Sequence, residues 1–258
     1  MRLRKAIVAL TAVATAVGVI ATASPASASS TQDDHAAATR TSTHAVRTVE
    51  TARPSYDATP ASTKCEQGPD QKAVEKALKQ LGGFGPITVD GKLTDQECTT
   101  IKNFQKRYDI RPVHGYAGPL TNRIAGHLVN SSKDKCKSGK GHVVCIDLTH
   151  QTLWVTQNGK QIFAPTVVRT GMKGHTTTTG TWHINVREKK HWSHPFKVWL
   201  PYWQHFHDGM GLHETTTYIH DSFGSHGCIN LLHADAKKLY EILKMNDTVY
   251  VFGHRSGT

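Results

Sequence analysis

The feature of this chain best suited to chemistry is a cysteine that follows a histidine and a glycine. Cys228 lies in the segment Ser225-His226-Gly227-Cys228-Ile229-Asn230. A nucleophilic cysteine needs a base that takes up its proton and backbone N–H groups that face the developing oxyanion. Gly227 allows the close backbone approach that such an oxyanion site requires. The segment therefore predicts a nucleophilic thiol at Cys228, and the alternative is a buried structural cysteine.

The cysteine count supports this prediction because it is odd. The five cysteines are Cys65, Cys98, Cys136, Cys145 and Cys228. Cys65 and Cys98 bracket one compact segment. Along residues 142–148 the apolar residues alternate, so Cys145 points to the opposite strand face, where Cys136 could reach it. Among the pairings that five cysteines allow, we predict disulfides Cys65–Cys98 and Cys136–Cys145, which leaves Cys228 free.

The N-terminus predicts export. Three basic residues, Arg2, Arg4 and Lys5, precede an apolar run over 6–22 and the small-residue site Ala26-Ser27-Ala28. This order is typical of a signal peptide over residues 1–28, and the alternative is an uncleaved anchor, since the run approaches the shortest membrane span. After cleavage we expect a soluble monomer with no transmembrane segment, located in the cell wall or a periplasm-like space outside the cytoplasm.

The chain is basic, with 31 Lys and Arg against 20 Asp and Glu and a net charge of +11. Residues 1–28 hold three of the basic residues and no acidic one, so the mature chain keeps a charge of +8. Outside the cell, anionic wall polymers or lipid headgroups are available partners, and nucleic acid is not expected to be one. The alternative is that the charge only aids solubility.

Composition and periodicity divide the mature chain into three parts. Residues 29–63 are rich in Ser, Thr, Ala and Pro, which predicts a disordered linker. Residues 64–132 predict a small all-α domain of three helices. These helices run from Asp70 to the Gly82-Gly83 stop, from Thr94 with Glu97 as a capping box, and from Gly118-Pro119 to about Leu128. Residues 141–254 alternate in hydrophobicity, which predicts a mostly β domain.

The β domain is predicted in more detail from its turn signals. Asn158-Gly159 favours a two-residue hairpin. Strands are predicted at Val143–Leu148, Thr152–Thr156, Gln161–Arg169, Gly180–Arg187, Lys197–Tyr202 and Thr248–Phe252. One helix is predicted at Ala234–Lys244.

Residues 225–230 resemble the active-site signature of the L,D-transpeptidase catalytic domain of the YkuD type. Supporting segments follow in the family's order: Ile146-Asp147-Leu148, Gln151–Trp154, Asn158–Lys160, Arg169-Thr170-Gly171, Thr177–Trp182 and Gly211-Leu212-His213. The resemblance implies a β-sandwich in which the cysteine attacks the third residue of a tetrapeptide stem of peptidoglycan and expels D-alanine. The amine of a second stem then attacks the acyl-enzyme and forms a 3→3 cross-link. No cofactor is implied.

The resemblance also implies roles for individual residues. Those assigned to catalysis are Cys228 as nucleophile, His213 as base, His226 and Ser225 in the pocket, and Gly227, whose N–H joins that of Cys228 in the oxyanion site. Those assigned to substrate binding are Asn230, Glu214 and Tyr218. His220 lies too close to the cysteine in sequence to be the base. Asn230 stands where many members carry arginine, which bears on how the carboxylate of the donor stem is held.

Residues 64–130 resemble a peptidoglycan-binding-like three-helix module. The resemblance lies in Val89–Leu93, Ile101–Gln105 and Gly115–Thr121. It implies that the module holds the catalytic domain on peptidoglycan, including its glycan. Deleting the module is then expected to weaken binding to insoluble peptidoglycan while activity on soluble muropeptides persists.

Other functions remain open at this point. A zinc site could use His205, His207, His213, His220 and His226 with Asp208 and Glu214, although no H-E-x-x-H motif occurs and we predict no metal. A carboxypeptidase or an enzyme that attaches proteins to the wall would share the acyl-enzyme. A noncatalytic wall-binding protein would need no activated thiol, so a thiol-reactive probe at neutral pH should separate it from an enzyme.

Overall fold

The structure is a computed structural model that describes residues 65–136 and 139–258. The predicted signal peptide and linker, at 1–28 and 29–63, lie outside the described residues. The helices are α1 (Gln71–Leu81), α2 (Asp95–Arg107), α3 (Pro119–Val129) and α4 (His233–Ile242). The strands are β1 (His142–Asp147), β2 (Thr152–Gln157), β3 (Lys160–Val167), β4 (Gly180–His183), β5 (Val186–Ser193), β6 (Val198–His207), β7 (Met210–Glu214), β8 (Ile229–Leu231) and β9 (Thr248–Phe252). No helix in the described part of the chain is long and apolar enough to cross a membrane.

The first three helices begin where the sequence predicts. Thr94 and Glu97 form the expected capping box at the start of α2, with the Glu97 N–H donating to Thr94 Oγ1 at 3.2 Å. Pro119 occupies the first turn of α3, where its missing N–H costs no hydrogen bond. The disulfide Cys65–Cys98 joins the segment before α1 to α2, as predicted. The apolar faces of the helices share one core that includes Val74, Leu78, Ile101, Phe104, Ile124 and Leu128.

The strands form two sheets that share a second core. One sheet has the order β3-β2-β1-β9-β4 and the other the order β5-β6-β7-β8. The core between them includes Val144, Ile146, Val249, Phe206, Leu212 and Ile229, with Leu239 from α4. On the opposite face of β1, Cys145 packs with Trp154 and forms the predicted disulfide with Cys136. The predicted hairpin is also confirmed, since Asn158 and Gly159 have φ values of 51° and 81° between β2 and β3.

The prediction of a single strand over Gly180–Arg187 is wrong. The chain changes sheets within this range, because β4 pairs with β9 whereas β5 pairs with β6. Ile184 marks the corner; it is fully buried, and its N–H donates to the Asp247 carbonyl at 3.0 Å. Alternation in sequence shows which residues face a core but not which strand is the partner. The short strands β7 and β8, which carry the site, were not predicted.

The three helices pack directly against the sheet region. Val167, Ile219 and Leu232, all from beyond residue 139, contribute to the helical core. Arg107 at the end of α2 forms two hydrogen bonds with the carboxylate of Asp235 in α4, at 2.8 and 3.1 Å. The described residues therefore form one compact unit.

We expect Arg107→Ala to lower the free energy of unfolding. The side chain of Asp235 is 4% exposed, so removing its partner leaves a buried carboxylate whose charge is poorly compensated. Because Arg107 itself is 39% exposed, the cost should be about 2 kcal/mol, below the range for a fully buried pair. Urea unfolding would measure it, with Lys238→Ala as the control, since Lys238 pairs with Glu241 at the surface. If both substitutions lower the free energy of unfolding by the same amount, the ion pair between Arg107 and Asp235 contributes no more than a surface pair.

Candidate active site

Cys228 lies at the end of the loop that leads into β8. Gly227, before it, has a φ of 105°, a conformation that side-chain-bearing residues rarely adopt. The Cys228 sulfur lies 3.7 Å from the carbonyl oxygen of Gly209, in the turn between β6 and β7, and the Gly211 N–H points to the sulfur. Of the five cysteines, all within the described residues, it alone is outside a disulfide.

A pocket of about 800 Å³ opens beside the sulfur. Of the residues predicted for the site, Cys228, His213, Ser225, His226 and Asn230 line this pocket. Strands β7 and β8 run parallel with His213 opposite Asn230 in the register, which brings the two side chains together. The fold thus gathers most of the predicted residues around one cavity that is open to solvent.

His213 is held in one orientation by two hydrogen bonds. Its Nδ1 lies 2.7 Å from the backbone carbonyl of Glu214, which can only accept, so the neutral ring carries its proton on Nδ1. The Asn230 amide nitrogen then donates to Nε2 at 2.9 Å. The ring is 5% exposed, and this burial is the main cause that lowers the pKa of His213 to about 4. At neutral pH His213 is therefore an uncharged base with its lone pair on Nε2.

Ser225 stabilises the loop that carries Cys228 through two hydrogen bonds. Its hydroxyl donates to the Cys228 carbonyl at 2.6 Å and accepts the Gly227 N–H at 3.1 Å. The Gly227 carbonyl accepts from Thr177 Oγ1 at 2.8 Å. The Gly227 N–H, predicted for the oxyanion site, thus already has an intramolecular acceptor and would have to exchange it for a substrate oxygen.

Arg169 is the main residue of this site whose role could not be predicted from the sequence. Its guanidinium is 8% exposed and donates twice to Asn230 Oδ1, at 2.9 and 3.1 Å. It also binds the Tyr218 carbonyl at 2.8 Å and forms a close ion pair with Asp221. Because the guanidinium holds the amide oxygen of Asn230, the amide nitrogen must face His213. The available signal was the segment Arg169-Thr170-Gly171, which the resemblance included without assigning a role to Arg169.

Comparison with known proteins agrees with this geometry. The family model of the YkuD L,D-transpeptidase catalytic domain matches residues 141–251. The solved L,D-transpeptidase (Yku) from Stackebrandtia nassauensis is 55% identical, with 77% of this chain and 98% of that chain covered and a TM-score of 0.74. This chain belongs to the L,D-transpeptidase family. A comparison with curated protein sequences gave no significant match.

Two further solved structures show lower similarity to this chain. An L,D-transpeptidase from Enterococcus faecium is 24% identical over 44% of this chain and 50% of that chain, with a TM-score of 0.38. One from Xylanimonas cellulosilytica is 20% identical over 74% of this chain and 97% of that chain, with a TM-score of 0.44.

Two residues predicted to bind substrate lie outside the pocket lining of this L,D-transpeptidase. The carboxylate of Glu214 pairs with His233 Nδ1 at 2.9 Å, and only its backbone carbonyl serves the site, through His213. The hydroxyl of Tyr218 accepts the backbone N–H of Arg111, in the segment between α2 and α3, at 3.3 Å. Their side chains therefore bind other parts of the protein in this structure. Their contact with substrate stays a prediction.

Aromatic rings form the mouth of the pocket. His226 is exposed and lies 4.5 Å from the ring of His175 and 4.7 Å from that of Phe196. Deeper inside, Trp203 stacks on His191 at 5.1 Å. These walls can contact the apolar parts of a stem peptide while the thiol stays accessible.

The histidines considered for zinc have other partners. His205 Nδ1 lies 2.5 Å from Asn185 Oδ1, and His207 stacks on Trp182 at 3.6 Å and pairs with Asp208. His220 Nε2 donates to the Tyr108 carbonyl at 2.6 Å. Within the described residues, the acidic and histidine side chains that approach one another closely enough for one ion are Glu75, Asp90 and Glu97, in the helical part.

The thiol of this L,D-transpeptidase is protonated at rest. Burial raises the pKa of Cys228, and the Gly211 N–H offsets this only in part. With His213 neutral as well, the resting pair is thiol and imidazole, not thiolate and imidazolium. A slow reaction with a thiol probe at neutral pH is therefore compatible with an active enzyme, contrary to the criterion drawn from the sequence.

We expect the alkylation of Cys228 by iodoacetamide to accelerate steadily from pH 6 to above about pH 9. The reason is that the reactive thiolate fraction keeps growing as long as pH lies below the raised thiol pKa. Mass spectrometry of the mature chain would measure the rate, and the Cys228→Ala protein would give the background. A rate that levels off below pH 7 would instead show a preformed thiolate and imidazolium pair.

His213 should also make folding stability depend on pH. Its pKa is about 4 in the folded chain and about 6.5 when unfolded, so its contribution is complete above pH 6.5 and is lost as pH falls toward 4. The shift corresponds to about 3 kcal/mol. Urea unfolding of wild type and of His213→Gln at pH 7.5 and pH 4.5 would compare the losses. Equal pH dependence in the two proteins would exclude the shift.

Proposed function

We propose that this L,D-transpeptidase forms 3→3 cross-links in peptidoglycan through a thioester on Cys228. The carbonyl of the third residue of a donor tetrapeptide stem accepts the sulfur, and the bond to the terminal D-alanine breaks. The amine of an acceptor stem then attacks the thioester, which forms a new amide and frees the thiol. The observation that carries the proposal is that the free Cys228 and a buried, neutral His213 line the same open pocket.

The proton follows a path that the neutral His213 supports. As the sulfur attacks, the thiol proton passes to Nε2, and the resulting imidazolium donates it to the departing amine of D-alanine. In the second step the ring takes a proton from the attacking amine and returns it to the sulfur. The Asn230 amide now occupies Nε2 at 2.9 Å, so it must give way when the thiol engages the ring.

The pocket is large enough for a stem peptide. Its volume of about 800 Å³ and its aromatic walls can accept several residues of an extended chain. The mouth is open, which leaves room for an acceptor to reach the thioester after D-alanine has left. Hydrolysis of the same thioester would make the enzyme a carboxypeptidase, and capture by a protein amine would attach that protein to the wall.

The proposal places the enzyme outside the cytoplasm as a monomer. Two disulfides among the described residues are typical of proteins that fold in an oxidising compartment. The predicted signal peptide would deliver the chain there, and the helices at 65–132 are proposed to bind peptidoglycan. Size-exclusion chromatography of the mature chain and N-terminal sequencing of the exported form would test these points.

The decisive experiment incubates the mature enzyme with purified disaccharide-tetrapeptide muropeptides and analyses the products by mass. We expect a dimer that has lost one D-alanine, together with free D-alanine, and neither product from Cys228→Ala. Tripeptide monomer without dimer would mean that water is the acceptor and would replace cross-linking by trimming. Dimer formation that continues in Cys228→Ala would remove the thioester from the proposal.

A further inference from the structure

A second cavity, of about 360 Å³, lies where α3 meets the loops of the catalytic domain. Arg123 and His127 of α3 line one side. Arg169, the loop residues His220 and Asp221, and Arg255 near the C-terminus line the other. Ile124, Val167 and Ile219 add apolar surface. The cavity does not include Cys228, although Arg169 lines both this cavity and the pocket beside the thiol.

Positive charge in this cavity is only partly balanced. Three arginines face a single carboxylate, that of Asp221. Both oxygens of that carboxylate are engaged, one by the Arg169 guanidinium and the other by the Phe223 N–H at 3.1 Å. The Asp221 charge therefore compensates that of Arg169, and two guanidinium charges remain.

Within the described residues neither of the other two arginines forms an ion pair, although Asp221 also attracts Arg255. Arg255 donates to the backbone carbonyls of Thr170, Gly171 and Ser222, which carry no charge. Arg123 is exposed, and the ion pairs formed by arginine and lysine in the described residues do not include it. Its five N–H donors are thus available to a ligand.

The pKa values of three groups that line the cavity are lowered. Burial is the main cause that lowers the pKa of His127, and Arg123 lowers it further. Burial also lowers the pKa of His220; the hydrogen bond to the Tyr108 carbonyl and the charge of Asp109 oppose this shift, and Arg123 adds to it. Burial likewise lowers the pKa of Arg255, with Arg169 as the next cause. Like charges that crowd a confined, partly apolar space raise its positive potential, which a bound anion would relieve.

We propose that this cavity binds an oxyanion, a phosphate or a carboxylate group, between Arg123 and Arg255. Guanidinium groups bind such oxygens through charge-assisted, often bidentate hydrogen bonds. The volume admits one such group with its immediate neighbours. Since Arg123 belongs to α3 and Arg255 follows β9, the bound oxyanion would connect the helices to the catalytic domain.

The first test uses inorganic phosphate as the probe with the full mature chain at constant ionic strength. Calorimetry or chemical-shift titration would give the dissociation constant for wild type, Arg123→Gln and Arg255→Gln. Lys79→Gln removes the same charge from an exposed position on α1 and is the matched control. We expect a weakening of about tenfold in each arginine variant, the effect of one charge-assisted hydrogen bond, and little change in the control.

A second arm separates two sources of the oxyanion. Poly(glycerol phosphate) supplies phosphate, and a synthetic tetrapeptide stem supplies carboxylates, in the Cys228→Ala background so that no acyl transfer occurs. Binding of either probe that is weakened by Arg123→Gln supports the site and identifies its class of ligand. Because Arg255 also holds the backbone, thermal melting would check its variant, and the exposed Arg123 gives the decisive comparison. The proposal is overturned if neither phosphate nor stem binds, or if all three substitutions weaken binding equally.

Discussion

Replacing Cys228 with alanine is expected to abolish acyl transfer, with a loss of at least about 10³-fold, while the fold persists. No other thiol is available to substitute, because the remaining four cysteines form disulfides. The fold should tolerate the change, since the sulfur borders an open pocket and its contact with the Gly209 carbonyl, at 3.7 Å, is weak. Removal of the sulfur atom therefore leaves no closed cavity in the core.

The Cys228→Ser protein provides the matched control. Serine keeps the size of the side chain, but a neutral imidazole activates a hydroxyl far less readily than a thiol. We expect it to bind muropeptides as the wild type does and to release almost no D-alanine. Both variants should melt within a few degrees of the wild type in circular dichroism. Release of D-alanine at wild-type rates by Cys228→Ala would show that another group is the nucleophile.

The parts of the site that could be predicted from sequence are those encoded by neighbouring residues. Cys228 and its preceding glycine are adjacent in sequence, and the odd cysteine count singled the thiol out. Thr94 with Glu97 and Asn158 with Gly159 fix a helix start and a hairpin through contacts within a few residues. The helix start, the hairpin and the free thiol are confirmed because local chemistry decides the local backbone, whereas the role of Cys228 as nucleophile stays a prediction.

The parts that could not be predicted depend on contacts between distant residues. Arg169 orients Asn230 from 61 positions away, and nothing in either segment shows that contact. The alternating pattern of residues 180–187 similarly hides the corner at Ile184, since the partner strand is decided by tertiary packing. The role of Tyr218 is a third case, because its hydroxyl binds a residue of the helical part.

Because of contacts between distant residues, removal of the helices is expected to affect activity on small substrates as well as binding to peptidoglycan. A pure anchor could be deleted without harm to chemistry on small substrates, which was the expectation from the sequence. In the structure three residues of the loop between β7 and Cys228 contact the helical part of the chain. Ile219 is 3% exposed within the helical core, His220 donates to the Tyr108 carbonyl, and the Tyr218 hydroxyl accepts the Arg111 N–H.

The same loop holds His213, the proposed base, through a chain of hydrogen bonds. The Tyr218 carbonyl and Asp221 bind Arg169, which fixes Asn230, and Asn230 contacts His213 Nε2. Releasing the loop from the helices would loosen this chain and allow the imidazole to turn. Small displacements of a catalytic group are costly, because the reacting atoms must be held in near-attack geometry.

We therefore expect the catalytic domain alone, residues 136–258, to lose most of its activity on soluble muropeptides as well as its binding to sacculi.

In the full mature chain, Ile219→Ala should lower the free energy of unfolding by about 2–4 kcal/mol through the cavity it leaves. It should also reduce kcat more than it raises KM, since it disturbs the base and not the pocket walls. Ile162→Ala, the same substitution at a side chain 43% exposed, is the control and should change neither. Because both variants keep the helices, binding to sacculi should stay at the wild-type level, which separates positioning of the base from attachment to the wall. If residues 136–258 turn over soluble muropeptides as fast as the full chain, or Ile219→Ala loses stability without any change in kcat, the helices serve attachment only and the contacts at 218–220 merely hold the two parts together.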